Sequence, residues 1–132
     1  SFLRGKMRSE KKLDFDRIPL SGVNQISKSE DYWDDGWVGP RFVTKLSPYQ
    51  RTSLFRLEGW RPEGSSPATV SISLGGSKLC SEEVKGGTFV IEAQAQTVSK
   101  EETELEITTS HWGNADNDLR DLSFVLKGVD FF

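Results

Sequence analysis

Aromatic and acidic side chains are concentrated between residues 32 and 40, where the sequence reads Tyr32-Trp33-Asp34-Asp35-Gly36-Trp37-Val38-Gly39-Pro40. An indole ring stacks well on the apolar C–H face of a pyranose, and a carboxylate accepts hydrogen bonds from the sugar hydroxyls. The segment therefore predicts a sugar-binding surface with Trp33, Asp34, Asp35 and Trp37 as ligand contacts. The alternative interpretation, favoured for Trp37, is that its indole fills one end of a core and that the residues before it form a turn.

A second polar segment, residues 110–120, contains the only histidine of the chain together with another tryptophan. Its aromatic and hydrogen-bonding side chains extend the sugar-binding hypothesis to His111, Trp112, Asn114 and Asp116. We also considered an alternative in which Asp118 pairs with Arg120 and braces the loop, because a carboxylate and a guanidinium form two parallel hydrogen bonds. The sequence favours this bracing interpretation for that pair.

Calcium is a further possibility for the same segment, because Asp116, Asn117 and Asp118 carry the hard oxygen donors that calcium prefers. The spacing of an EF-hand loop and its glutamate at the twelfth position are both missing. Calcium binding would thus depend on composition alone, and we predict neither a metal site nor a cofactor.

Enzymatic motifs are weak in this sequence. His111 has no evident nucleophile beside it, no serine lies in a Gly-x-Ser-x-Gly elbow, and Cys80 lies far away along the chain. Paired carboxylates could support glycoside hydrolysis, but acidic residues in turns are common and do not by themselves indicate that chemistry. We therefore predict that the domain is not an enzyme.

The elements that must position these two segments are short strands. Apolar residues alternate with polar ones in five places, at 54–59, 70–74, 89–96, 104–108 and 122–127. Such period-two patterns, separated by glycine- and proline-rich turns, predict an all-β, antiparallel β-sandwich (jelly-roll-like) of about seven to eight strands. One short helical turn is conceivable at 81–84. The predicted division is a loosely attached N-terminal arm, residues 1–30, and a β-sandwich domain, residues 31–132.

Composition limits the classes of partner. The formal charge of −3 and the scattered basic residues argue against nucleic-acid binding, which favours a clustered basic face. No apolar run approaches the roughly 20 residues of a membrane span. A single cysteine, Cys80, excludes an internal disulfide, and we expect a cytoplasmic location on this basis.

Two motifs, taken together, carry a resemblance to a known family. Asp35-Gly36-Trp37 stands near the start, Asp118-Leu119-Arg120-Asp121-Leu122 stands near the end, and Gly87-Thr88-Phe89 begins a strand between them. This order resembles a small β-sandwich domain attached to bacterial glycosyltransferases and other polysaccharide-assembly proteins. The resemblance covers Tyr32 to Phe132. It implies an accessory, carbohydrate-binding-module-like role, with Gly36, Asp118, Arg120 and Leu122 as structural positions of the motifs.

The leading hypothesis is therefore a non-catalytic accessory module that binds an oligosaccharide or polysaccharide and serves bacterial cell-surface glycan assembly. Its partner would be a glycosyltransferase domain. The alternative is a structural protein–protein interaction domain that self-associates, and a weaker alternative is a glycoside hydrolase that uses two carboxylates.

Overall fold

A computed structural model describes residues 17–114 and 118–132, and over these residues the chain forms ten β-strands and no helix. The seven strands from the fourth to the tenth each contain at least seven residues. The predicted all-β, antiparallel sandwich is confirmed. The strands are β1 (Leu20–Ser21), β2 (Val23–Gln25), β3 (Glu30–Tyr32), β4 (Trp37–Pro48), β5 (Thr52–Arg61), β6 (Ala68–Leu74), β7 (Ser77–Val84), β8 (Gly87–Thr97), β9 (Thr103–Thr109) and β10 (Phe124–Phe131). In the described part of the chain, no helix is long and apolar enough to cross a membrane.

The strands are hydrogen-bonded in the order β7-β6-β9-β4-β10-β5-β8. Only two residue pairs, Phe124 with Val38 and Val125 with Trp37, join β10 to β4. The sheet divides at this short junction into one layer of β7, β6, β9 and β4 and a second layer of β10, β5 and β8. All pairs are antiparallel except the two-residue pairing of β1 with β10. Short strands β2 and β3 add to β4.

The side chains between the two layers are the ones that alternation predicts. Each of the five alternating segments turns one set of alternate residues inward, while Leu54 and Val90 lie on the outward faces and are about half exposed. Phe42, Phe55 and Phe124 are among the largest fully buried side chains. Phe89 packs edge-on against Phe124, with ring centroids 5.4 Å apart. Gly59 lies under this pair, because a Cβ at that position would come within 2.5 Å of the Phe89 ring. Phe89 and Phe124 can therefore pack in this position only because residue 59 has no side chain.

Period-two alternation does not predict two of the long strands, β4 and β7. β4 is the longest strand, and it buries the consecutive residues Phe42, Val43 and Thr44, so both of its faces are covered at this point. It pairs with β9 along one edge and with short strands or β10 along the other. β7 is an edge strand with mostly exposed polar residues. The helical turn considered at 81–84 is wrong, since those residues pair with β6. Charged residues such as Glu82 and Glu83 are usual on an edge strand, where they oppose pairing with other chains.

The N-terminal arm is described from Arg17 onward. Ile18 and Val23 are buried, and the backbone N–H of Ile18 donates to Oε1 of Gln25 at 2.9 Å. The side chain of Gln25 in turn donates to Ser29, whose hydroxyl donates to Thr44 of β4. These contacts tie the described part of the arm to the first layer; the domain boundary near residue 30 stays a prediction.

Candidate functional site

The first predicted segment forms the tight turn between β3 and β4. The backbone N–H of Gly36 donates to the carbonyl of Trp33 at 2.9 Å, and the N–H of Trp33 donates to the carbonyl of Trp37 at 3.0 Å. Gly36 has a φ of +94°, a left-handed conformation that glycine adopts without steric cost. Its carbonyl accepts from Leu126 of β10 at 2.8 Å. The turn is thereby attached to both layers, at the junction where β4 meets β10.

The described residues on either side of 115–117 in the second predicted segment meet each other beside that turn. Gly113 and Leu122 exchange two backbone hydrogen bonds, of 3.0 and 2.8 Å, which close the loop between them. The amide nitrogen of Asn114 donates to the carbonyl of Arg120 and to Oδ1 of Asp121. Leu122 is buried, so the loop ends in the core. Trp112 stands outside this closure and is half exposed.

Arg120 joins the two segments, although they lie 85 residues apart. Its Nη1 and Nη2 donate to the two carboxylate oxygens of Asp35, at 3.2 and 2.9 Å. Its Nε and Nη2 donate to Asp118 at distances from 2.7 to 3.1 Å. The guanidinium also lies 5.1 Å from the centroid of the Trp33 ring, within cation–π distance. The pair of Asp118 and Arg120 that the sequence favoured is present, and the structure adds Asp35 to it.

These contacts fix the charge state of the three groups. Hydrogen bonds from Arg120 lower the pKa of Asp118 to about 2. Hydrogen bonds from the same guanidinium also lower the pKa of Asp35, against the opposing effect of burial. The two carboxylates in turn raise the pKa of Arg120. Because a glycosidase needs one carboxyl group that keeps its proton near neutral pH, this pair is poorly suited to glycoside hydrolysis.

A cavity of about 250 Å³ opens next to the Arg120 cluster, at the end of the sandwich. Its wall is formed in part by the two indoles of Trp37 and Trp112 and by the side chain of Asn114. The Trp37 ring packs edge-on against the ring of Trp60, with the two ring centroids 6.4 Å apart. The wall is mostly apolar with a few polar groups, which is the composition of a small-molecule binding site.

The predicted site residues thus divide into groups. Trp37, Trp112 and Asn114 line the cavity together with the motif residue Leu122. Asp35, Asp118 and Arg120 form the brace beside it. These placements do not test ligand binding itself, so the assignment of these residues to a ligand stays a prediction.

The remaining predicted residues lie outside the cavity wall or outside the described chain. One side of the Trp33 ring is covered by Arg120. Asp34 is exposed at the tip of the turn. His111 is exposed, and its Nδ1 is 2.9 Å from the hydroxyl of Ser110. Asp116 lies outside the described residues.

No group of three or more His, Cys, Asp or Glu side chains is arranged to hold a metal ion within 17–114 and 118–132. Asp116 and Asn117, on which the calcium alternative depended, lie outside these ranges. The ionic contacts of Asp118 are with Arg120.

Among the residues of the cavity wall that the sequence did not predict, two are buried polar side chains. Arg61 is the last residue of β5 and is only 4% exposed, and Ser123 precedes β10 and is 3% exposed. A signal for Arg61 was present in the alternation, because Phe55, Leu57 and Gly59 define an inward face and residue 61 is the next position on it. No comparable signal marks Ser123, which lies between buried Leu122 and Phe124.

Comparison with known proteins gives distant matches only. No protein-family model and no curated protein matches the chain. Among solved structures, the chain is similar to a family 35 carbohydrate binding module from an environmental isolate, with 12% identity, a TM-score of 0.48 and coverage of 83% of this chain and 85% of that one. A CBM35 from Paenibacillus barcinonensis matches with 13% identity, a TM-score of 0.41 and coverage of 80% and 87%.

The GH26-CBM35 β-(1,4)-mannanase of Podospora anserina also matches, with 9% identity and a TM-score of 0.48. The match covers 85% of this chain but 25% of the mannanase. At these identities and TM-scores the similarities do not assign a function.

Proposed function

We propose that this domain is a non-catalytic carbohydrate-binding module whose ligand site is the cavity beside the Arg120 brace. The observation that carries the proposal is the combination of Trp37 and Trp112 with Asn114 in the wall of one small cavity. Indole faces supply the apolar surface on which a sugar ring stacks. The amide nitrogen of Asn114 donates to Arg120 and Asp121, and in this proposal its side-chain oxygen accepts a sugar hydroxyl.

The brace explains how loops can present a defined site. Binding groups lose less conformational freedom when their supports are already fixed. Here the turn at 33–36 and the described residues 118–122 are held to each other by Arg120 and to the core by Leu122. The cavity volume lies just below the ~300–1,000 Å³ typical of sites for drug-sized ligands. It therefore suits one sugar unit better than an extended chain lying in a groove.

The biological setting belongs to the same proposal. The motifs around Asp35 and Arg120 resemble those of the β-sandwich domain attached to bacterial glycosyltransferases, and these motifs form the brace. We infer that the module holds a glycan for a catalytic domain of bacterial cell-surface polysaccharide assembly. The interaction-domain and hydrolase alternatives remain rival predictions, and the following experiment addresses the hydrolase.

The test is a titration of tryptophan fluorescence with a panel of neutral and acidic monosaccharides, together with oligosaccharides from bacterial surface polysaccharides. We expect saturable binding and its loss, by at least about fivefold in affinity, in Trp112→Ala, since central aromatic contacts typically contribute more than about 1 kcal/mol.

The matched control for Trp112→Ala is Tyr49→Ala. Tyr49 is another exposed aromatic residue, and it follows the far end of β4. No response to any sugar, or an equal loss in both variants, would refute the proposed function. Release of reducing ends from the oligosaccharides would instead support the hydrolase.

A further inference from the structure

The cavity has a third wall besides the two segments that Arg120 joins. Pro62 and Ser65 line it, and they belong to the loop that connects β5 to β6. This loop is a hydrogen-bonded turn, because the N–H and the hydroxyl of Ser65 both donate to the carbonyl of Pro62, at 3.2 and 2.6 Å. Gly64 has a φ of +82°, a value typical of the third residue of a type II turn. The turn therefore keeps its own shape, while its place beside the cavity depends on contacts with the rest of the fold.

Arg61 makes one set of these contacts. It is the last residue of β5, it lies on the inward face of that strand, and it is only 4% exposed. Its Nη1 donates to the carbonyl of Ser66 at 2.7 Å and, at a longer 3.4 Å, to the carbonyl of Val84. Since Val84 is the last residue of β7, one guanidinium links the end of the loop to the end of a strand.

The burial of Arg61 is unusual because no carboxylate compensates its charge. None of the ion pairs among residues 17–114 and 118–132 includes it, and burial lowers its pKa. Arginine is rarely buried without a partner of opposite charge, since removing the charge from water is costly. An apolar side chain of similar length would avoid this cost, so packing alone does not account for an arginine here. What the guanidinium adds is its hydrogen bonds to the Ser66 and Val84 carbonyls.

The turn between β7 and β8 makes a second set of contacts with the same loop. A Cβ built on Gly86 would lie 2.6 Å from the carbonyl oxygen of Pro62, and 3.0 Å from both Cα of Glu63 and the backbone nitrogen of Gly64. These distances are too short for a side chain, so the loop occupies its position only because residue 86 has none. Gly86 itself lies outside the cavity wall that the described residues form. A substitution there would therefore displace the loop without removing a group from the wall.

We propose that Arg61 is a positioning residue for the ligand site. Its hydrogen bonds to the Ser66 and Val84 carbonyls, together with the close contact at Gly86, hold the loop at 62–66 as the third wall of the cavity. This inference rests on the proposed function and adds how one wall of the same site is kept in place. Molecules in which the loop has moved away present an incomplete cavity, so the apparent affinity falls with the fraction of molecules whose wall is in place. Arg61 acts on the ligand only through the loop.

The experiment measures how the folded chain binds the methyl glycosides of glucose, galactose, mannose and glucuronic acid, by tryptophan fluorescence well below the melting temperature. For any of these sugars that the native chain binds, we expect Arg61→Met to weaken binding by about fivefold or more, because the loop must then be ordered during binding. Hydrogen exchange of residues 62–66 should become faster in the same variant. A purely structural role would lower the melting temperature and leave the affinity of the folded chain unchanged.

Further variants connect the effect to the loop. Arg61→Lys should keep most of the affinity, because an ammonium also donates to backbone carbonyls. Gly86→Ala should weaken binding as well, and its combination with Arg61→Met should lose less than the product of the two single losses, since both displace one loop. The matched controls are Arg56→Met, whose ion pairs lie on the outward face of β5, and Gly128→Ala, where no atom lies within 4 Å of a Cβ. Both controls should bind like the native chain.

The outcomes separate this inference from the proposed function. Native affinity in Arg61→Met, for a sugar that the native chain binds, would overturn the inference and leave the proposed function in place. Equal losses of affinity in Arg61→Met and Arg61→Lys, with hydrogen exchange of the loop unchanged, would overturn it too, because the guanidinium would then act other than through the loop. Failure of every sugar to bind would overturn the proposed function together with the inference.

Discussion

The guanidinium of Arg120 holds two carboxylates that come from opposite ends of the sequence. Asp118 is two residues away, and Asp35 is 85 residues away. Neither charge is deeply buried, so the value of this arrangement lies in geometry and not in a large electrostatic stabilisation. The planar fork fixes the angle at which the two loops meet, and a lysine in its place would not.

The low pKa of Asp118 gives a prediction for acid conditions. The folded state lowers this pKa from its ordinary 3.8 to about 2, so the pairing contributes stability that is complete above 3.8 and is lost as pH falls toward 2. Because Arg120 lies against Trp33, loss of the pairing should change tryptophan fluorescence. We expect that change to be centred near pH 2 in the native chain.

Two variants check the assignment of this acid transition. Asp118→Asn should remove the part of the transition that belongs to Asp118, because the amide does not titrate, and leave only the part that comes from Asp35 on the same guanidinium. Asp34→Asn, a change of the same kind at an exposed neighbour of the brace, should leave it in place. A transition centred near 3.8 would contradict the pairing of Asp118 with Arg120.

At the residue scale, the sequence predicted only contacts between residues that lie close together along the chain. Asp118 and Arg120 are close in the chain, so their pairing was predictable from the chemistry of the two side chains. The contact of Arg120 with Asp35 was not predictable in this way, since it depends on where β4 and β10 meet. The burial of Arg61 was not predicted, because the alternating segment was taken to end at Gly59 and residue 61 is the next inward position.

At the scale of elements, the sequence predicted the strands that have one buried face and one solvent-exposed face. It did not predict β4 and β7, which lack this pattern. Period-two alternation identifies β5, β6, β8, β9 and β10, since each turns one face to the core. The pattern is lost in β4, which is covered over most of its length, and in β7, which is polar along an edge. The burial pattern of β4 and β7 depends on their neighbours in the structure and not on a period-two alternation of their own residues.

Gly59 allows a test of how closely the two layers are packed. A methyl group at this position would meet the rings of Phe89 and Phe124 at less than 3 Å. We expect Gly59→Ala to lower the free energy of unfolding by about 1–3 kcal/mol, the usual cost of overpacking. Urea denaturation followed by tryptophan fluorescence measures the change.

The control for Gly59→Ala is Gly128→Ala in β10. No atom lies within 4 Å of a Cβ built on Gly128, so this substitution should change stability by no more than about 0.5 kcal/mol. Equal effects of the two substitutions would show that the cost at Gly59 comes from the backbone and not from the Phe89 and Phe124 rings.

At the scale of the whole molecule, the fold brings distant segments to one end. The short junction of β4 with β10 sets the turn at 33–36 beside the loop that leads into β10, and the end of β5 places Arg61 under both. A site assembled from three separate parts of the chain cannot be read from any one of them. The sequence therefore indicated the two loops but not the cavity between them.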